Sequence, residues 1–288
     1  MNAIEIRGLT KFYPHFKLGP LDMTVPKGAI YGFIGPNGAG KTTTIDLMLG
    51  LGRNDGGSIS IFAKDHAREA VTVKQQIGYV SPDLNYAAWG RVRNAVQFIR
   101  GFYPSWDHAY CEELMEKFRL SPRDVIGTLS FGSKIKLALV LALAHRPALL
   151  VMDEPTAGLD AVSKSEVFAQ LLGLVKEGEH TVLISSHGLG DIERFADHIG
   201  FIKDGRMRVE GGTEEVVGRY RMIDFSLDNA APLESVPGLS VLARDSGRCR
   251  ALVDTSAWVE EAGQRRGLVK LSSTPVTLEE LFVSLAKN

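Results

Sequence analysis

The run Gly35-Pro36-Asn37-Gly38-Ala39-Gly40-Lys41-Thr42, followed by Thr43, fits the spacing GxxxxGK[ST] of a loop that cradles phosphate. Its glycines let the backbone curl so that successive N–H groups and the start of a helix point at one anion. Lys41 then neutralises β- and γ-phosphate oxygens, and Thr42 offers a hydroxyl to magnesium. Farther along, the apolar run Leu149-Leu150-Val151-Met152 ends in two carboxylates, Asp153 and Glu154. Ligands of open α/β sheets bind at the carboxyl ends of strands, so Asp153 is expected beside the loop, holding magnesium directly or through water. Glu154 is then free to act as the base. On its own, a strand ending in Asp-Glu is only a strand running out into solvent; the phosphate loop upstream turns it into chemistry. Between the two lies Leu129-Ser130-Phe131-Gly132-Ser133, ahead of a helix predicted from about Lys134 to His145. Ser130 reads as an N-cap, and the same helix start, with Ser130 and Gly132, is an anion site able to face a γ-phosphate. His187 closes the strand Ile184-Ser185-Ser186 on the phosphate side of the sheet, as a structural or as a catalytic residue.

These groups need a scaffold. Ala29 to Ile34 is almost wholly apolar, as expected of a strand buried on both faces, and it ends at Gly35 where the loop begins. A helix from Lys41 carries Ile45, Leu47, Met48 and Leu49 inward. Earlier, Ala3–Arg7 and Leu21–Val25 alternate apolar with polar residues, which predicts an edge sheet. From Asn85 to about Arg146 the periodicity is helical. Strand patterns return at Ala148–Met152 and Thr181–Ser185 with a helical segment, Ser163–Lys176, between them, and strand, helix, strand implies a parallel sheet. After Gly211-Gly212 short alternating pieces such as Met222–Leu227 and Arg250–Val253 lead to a closing helix from about Thr277. The division expected is a larger unit over 1–212, helical at about 85–147, and a small accessory α+β unit over 213–288.

Composition narrows the options. Apolar residues make up 44% and charged residues 23% of 288, which excludes disordered and fibrous classes. With 33 basic against 34 acidic residues, the net charge of -1 gives no bulk field for nucleic acid. The longest apolar run, Leu137–Ala144, is closed by His145-Arg146-Pro147 and is far short of the roughly 20 residues that span a bilayer. Cys111 and Cys249 cannot make a disulfide framework, and the first residues lack the regions of a signal peptide, so a reducing cytoplasm is expected.

In order along the chain stand a phosphate loop (Gly35–Thr43), a signature (Leu129–Ser133), an apolar strand ending in Asp153-Glu154, the segment Ala157-Gly158-Leu159-Asp160, and His187. That order, over residues 3 to about 212, resembles the ATP-binding cassette subunits of ABC transporters. The resemblance implies an α/β P-loop NTPase fold: a RecA-like parallel sheet core, an N-terminal antiparallel β part, an inserted helical subdomain and a small C-terminal α+β extension. It implies ATP and Mg²⁺ as ligands, with Tyr13 where relatives stack an aromatic on adenine; without the resemblance Tyr13 is equally an edge-strand aromatic. Asp160 falls in the family's D-loop. Implied too are a head-to-tail pair of cassettes, each ATP lying between the phosphate loop of one copy and Ser130 and Gly132 of the other, and a separate membrane permease. His187 would sense the γ-phosphate. Gly101–Asp107 and the closing helix Leu278–Leu285 look most like bacterial exporters with cassette and permease on separate chains, and place the protein on the cytoplasmic face of the membrane.

This chain also departs from the family. Phe131 and Ser133 replace the second glycine and the glutamine of the usual LSGGQ signature. Pro82, in Gly78–Asp83, stands where relatives carry a glutamine that touches magnesium and the attacking water. Asp83 would take over a metal contact from one residue along or cap the helix that follows, or the segment couples mechanically to the permease without a metal contact. The rival class is a cassette ATPase acting on nucleic acid or ribosomes, but the long coiled-coil insertion or second cassette usual there is absent. The intact Asp153-Glu154 pair speaks against a regulator that binds nucleotide without hydrolysing it.

Overall fold

The structure, a computed structural model, describes residues 1–176, 180–188, 192–193, 195–227, 236–245, 247–258 and 268–287. Strands β1 (Asn2–Tyr13) and β2 (Phe16–Pro26) form a long hairpin, longer than the alternation of Ala3–Arg7 and Leu21–Val25 predicts. The reason lies at Gly8, whose φ of 55° interrupts the alternation while the pairing resumes at Leu9 after a register shift. β3 (Ile30–Ile34) then leads through the phosphate loop into α1 (Lys41–Met48). β4 (Gly56–Ile61) and β5 (Lys64–Asp65) complete an antiparallel sheet in the order β2-β1-β4-β5. After α2 (Ala70–Lys74), β6 (Ile77–Val80) enters the main sheet.

The helical insertion holds α3 (Val92–Arg100), α4 (His108–Lys117) and α5 (Phe131–Leu143). Within it the described residues pair as strand only in one isolated bridge, Arg91 to Val125. Residues 137 to 143 of α5 are all buried, so the second half of this helix is apolar on every side and lies inside the protein. β7 (Leu149–Asp153), α6 (Ala161–Lys176), β8 (Thr181–Ser186), β9 (His198–Lys203) and β10 (Arg206–Gly212) follow. The main sheet runs β10-β9-β3-β8-β7-β6, parallel except for the β10 edge.

Alternation explains why the central strands β3, β7 and β8 are buried along their whole length. Tyr31, Phe33, Leu149, Val151 and Leu183 face a core shared with the first sheet and α1. Ile30, Ile34, Leu150, Met152, Val182 and Ile184 face a second core shared with the helical insertion. Each strand thus supplies two cores, and no polar face remains. Both cysteines are free and buried.

Beyond Gly212 come α7 (Thr213–Arg219), which the sequence pattern does not anticipate, and β11 (Tyr220–Leu227), β12 (Leu239–Asp245), β13 (Arg248–Asp254) and β14 (Leu268–Pro275). The four strands make an antiparallel sheet, β12-β13-β11-β14, with its own small core around Phe225, Ala251 and Val253. The closing helix α8 (Leu278–Lys287) joins the large core instead. Phe282 meets Phe201 edge to face at 4.5 Å, and the Leu278 amide donates to Glu193 Oε1 at 3.1 Å.

Candidate functional site

The phosphate loop closes on itself because its glycines take conformations other residues avoid: φ is 77° at Gly38 and 109° at Gly40. A Cβ on Gly40 would also lie 2.9 Å from Leu18 Cδ1 and 3.0 Å from Phe16 Cζ, so the β1–β2 hairpin rests directly on the loop. No side chain caps α1, which leaves its first N–H groups to the loop's concavity. Lys41, buried to 6% exposure, curls back to donate to Gly35 O at 2.7 Å and Pro36 O at 3.3 Å. An open cleft of about 620 Å³ lies over the loop, lined by Pro36–Gly38, Gly40–Thr43, Glu154, His15 and Phe16.

Strand order sets the rest. β8 lies between β3 and β7, so the strand that His187 follows runs between the one leading into the phosphate loop and the one ending in Asp153. Thr42 Oγ1 reaches across to donate to Asp153 Oδ2 at 2.7 Å. The buried Ser185 hydroxyl donates to Asp153 Oδ1 and accepts from the Glu154 amide at 3.0 Å, so a single hydroxyl fixes both acidic residues. Glu154 has φ 48°, a left-handed conformation uncommon for its type that turns its carboxylate off the strand end into the cleft. There Oε1 sits 3.1 Å from Lys41 Nζ without a directional hydrogen bond, and Oε2 is 2.6 Å from His187 Nδ1. One turn past Thr42 on α1, the carboxyl of Asp46 is raised by burial and then by the charge of Asp153.

The cleft therefore gathers the loop residues with Glu154, and hydrogen bonds link Asp153 and His187 to it. Tyr13, Asp83, Ser130, Gly132 and Asp160 do not line it. Tyr13, 48% exposed, stacks on Phe16 at 6.5 Å between centroids and 28° between planes. Ser130 is the N-cap of α5: its Oγ accepts from the Ser133 amide at 3.2 Å and donates to Ser133 Oγ at 2.9 Å. The helix begins at Phe131, three residues before the expected Lys134, because that cap is made. The Phe131 ring packs against Gly158, where a Cβ would lie 3.4 Å from Cε1. Asp160 Oδ1 accepts from Val162 N at 2.9 Å at the start of α6.

Asp83 does not cap a helix, which corrects one of its two expected roles. It lies exposed in a turn with its amide donating to Ser81 Oγ at 3.2 Å, and the next helical turn, Ala87–Trp89, has Tyr86 in the cap position. Burial raises the pKa of Tyr79 on β6; a hydrogen bond with Ser81 opposes this, and the charges of Asp153, Asp46 and Asp83 add to the rise. Ser185, Asp46, His15 and Phe16 are the site neighbours that motif spacing leaves out. Asp46, four residues after Thr42, is the one helical spacing points to.

A phosphate loop after a buried strand, with paired carboxylates and a histidine at the ends of neighbouring parallel strands, defines a P-loop ATPase of the cassette type. Residues 18–157 match the ABC transporter family. ABC transporter ATP-binding protein YtrB of Bacillus subtilis (strain 168) is 32% identical over 287 residues, covering 98% of this chain and 97% of the relative. Nod factor export ATP-binding protein I of Burkholderia orbicola (strain AU 1054) is 31% identical over 299 residues, 98% of this chain and 96% of that one. A solved ATP-binding subunit of an ABC transporter superposes with a TM-score of 0.67 at 26% identity, over 74% of this chain and 91% of the other. The chain belongs to the ATP-binding proteins of ABC transporters, and it is an ATP-binding, ATP-hydrolysing subunit.

Proposed function

We propose that this subunit hydrolyses MgATP between two cassettes and so drives a membrane permease carried on another chain, in the export direction. The observation that carries the reading is the chain Lys41–Glu154–His187 set beside Thr42–Asp153 at the ends of adjacent parallel strands. Lys41 and the loop amides of Gly35–Thr43 bind phosphate. Thr42 Oγ1 and Asp153 Oδ2 suit a hard, oxygen-seeking cation, and with Asp83 as a more distant contact they would hold magnesium. Magnesium, when bound, neutralises charge on the β- and γ-phosphate oxygens. Glu154 takes the proton of the attacking water, held toward the cleft by Ser185 and His187. Tyr13 on its Phe16 support receives adenine.

Ser130, Gly132 and Asp160 stand outside the cleft of their own subunit, which supports their use by a second cassette. Residues 1–212 form the ATPase unit and 213–288 the accessory unit. No helix among the described residues is long and apolar enough to cross a membrane, in keeping with attachment through a permease at the cytoplasmic face. The export-named relative supplies the direction. Expression beside a candidate permease tests the reading: extraction with a polytopic membrane partner supports it, and recovery with ribosomes or DNA overturns it.

A further inference from the structure

His15 sits at the tip of the β1–β2 hairpin and lines the same cleft as the phosphate loop. Its position is fixed from both sides. Pro14 restrains the turn before it, and Phe16 after it bears on Gly40. Only Lys41, Glu154 and His15 among the cleft's lining residues carry groups that can be charged. Lys41 is already engaged by two carbonyls and by Glu154, and Glu154 by Lys41 and His187. His15 is exposed and has no hydrogen bond or ion pair among the described residues. Nearby on the hairpin, Lys17 lies over the Phe12 ring at 5.0 Å, and Lys11 is 5.8 Å from the Tyr13 ring and 3.1 Å from Asp55. Those lysines are occupied on faces other than the cleft, as they do not line it.

We propose that His15 is a nucleotide-binding residue that contacts the phosphate-bearing side of ATP from the hairpin, opposite the loop amides. The inference rests on the cleft being the ATP site. An imidazole N–H there can donate a hydrogen bond to a phosphate oxygen. Because the group is exposed, that contact competes with water and its contribution is modest.

The test is ATP affinity by calorimetry, with magnesium chelated so that no turnover intervenes, for the wild type, His15→Ala and His15→Lys. The wild type should bind ATP about three- to fivefold more tightly than His15→Ala. His15→Lys should bind more tightly than His15→Ala, and raised salt should narrow that difference. If His15→Ala binds ATP as the wild type does while Lys41→Ala loses binding, the cleft stands and the role of His15 is overturned. If Lys41→Ala binds as the wild type does, the assignment of the cleft fails and this inference with it.

Discussion

Replacing Ser185 by alanine removes one buried hydroxyl that serves both acidic residues of the site. Ser185 is fully buried, donates to Asp153 Oδ1 and accepts from the Glu154 amide at 3.0 Å. In the alanine variant each partner loses a hydrogen bond where water has little access. A buried polar group left without its partner costs about 1–3 kcal/mol. Asp153 keeps its bond from Thr42, so the low end applies to it, and the sum is about 2–4 kcal/mol. For a protein of this size class that lowers the melting temperature by about 5–10 °C. The kinetic effect is separate, because the amide bond helps to hold Glu154 in its left-handed conformation, with φ 48°. A base released from that geometry is misplaced, so kcat should fall by about ten- to a hundredfold. The phosphate loop is untouched, and KM for ATP should hold within about twofold. Differential scanning calorimetry and steady-state ATPase assays on one preparation measure both. A variant that melts with the wild type, or that melts lower at an unchanged kcat, would refute the argument that this hydroxyl positions the base.

Two further outcomes follow from particular contacts. Since Asp83 caps no helix, Asp83→Ala should leave folding stability within the roughly 0.5 kcal/mol expected of surface changes, while the magnesium concentration for half-maximal turnover rises at least about twofold; a lower melt with an unchanged magnesium requirement contradicts the metal role. Burial lowers His145 from its ordinary 6.5 to about 4, with Nε2 on the Ile77 carbonyl and the ring stacked on Tyr103 at 3.8 Å. Below pH 6.5 the unfolded chain takes up a proton that the folded one refuses, so this residue should remove about 2 kcal/mol of stability between pH 7 and pH 5, and denaturant titrations showing the same loss in His145→Leu would contradict it.

Most of the architecture was legible in the residues because its elements bury two faces or one in regular alternation. The strands Ile30–Ile34, Leu149–Asp153 and Thr181–Ser186 are buried along their whole length and apolar through their middles, and the sheet's two cores explain why. What escaped was governed by contacts distant in sequence. The hairpin reaches Tyr13 only because pairing resumes after Gly8, and no local pattern announces that. Thr213–Arg219 forms a helix of seven residues with one buried side chain, Val216, too little for a periodic signal. Among site residues, the loop and carboxylates are recognisable by type and spacing. Ser185 and His15 matter through neighbours more than 20 residues away, Asp153 in one case and the phosphate loop in the other.

The central claim is that Glu154 is the base of an ATP-hydrolysing site whose binding elements are separate from it. Glu154→Gln keeps the size of the side chain and removes its basicity. Measured in parallel, ATP affinity should stay near the wild-type value and turnover should fall by about 10² to 10⁴-fold, with an ATP-dependent dimer accumulating on a sizing column. Hydrolysis at the wild-type rate in this variant would contradict the account.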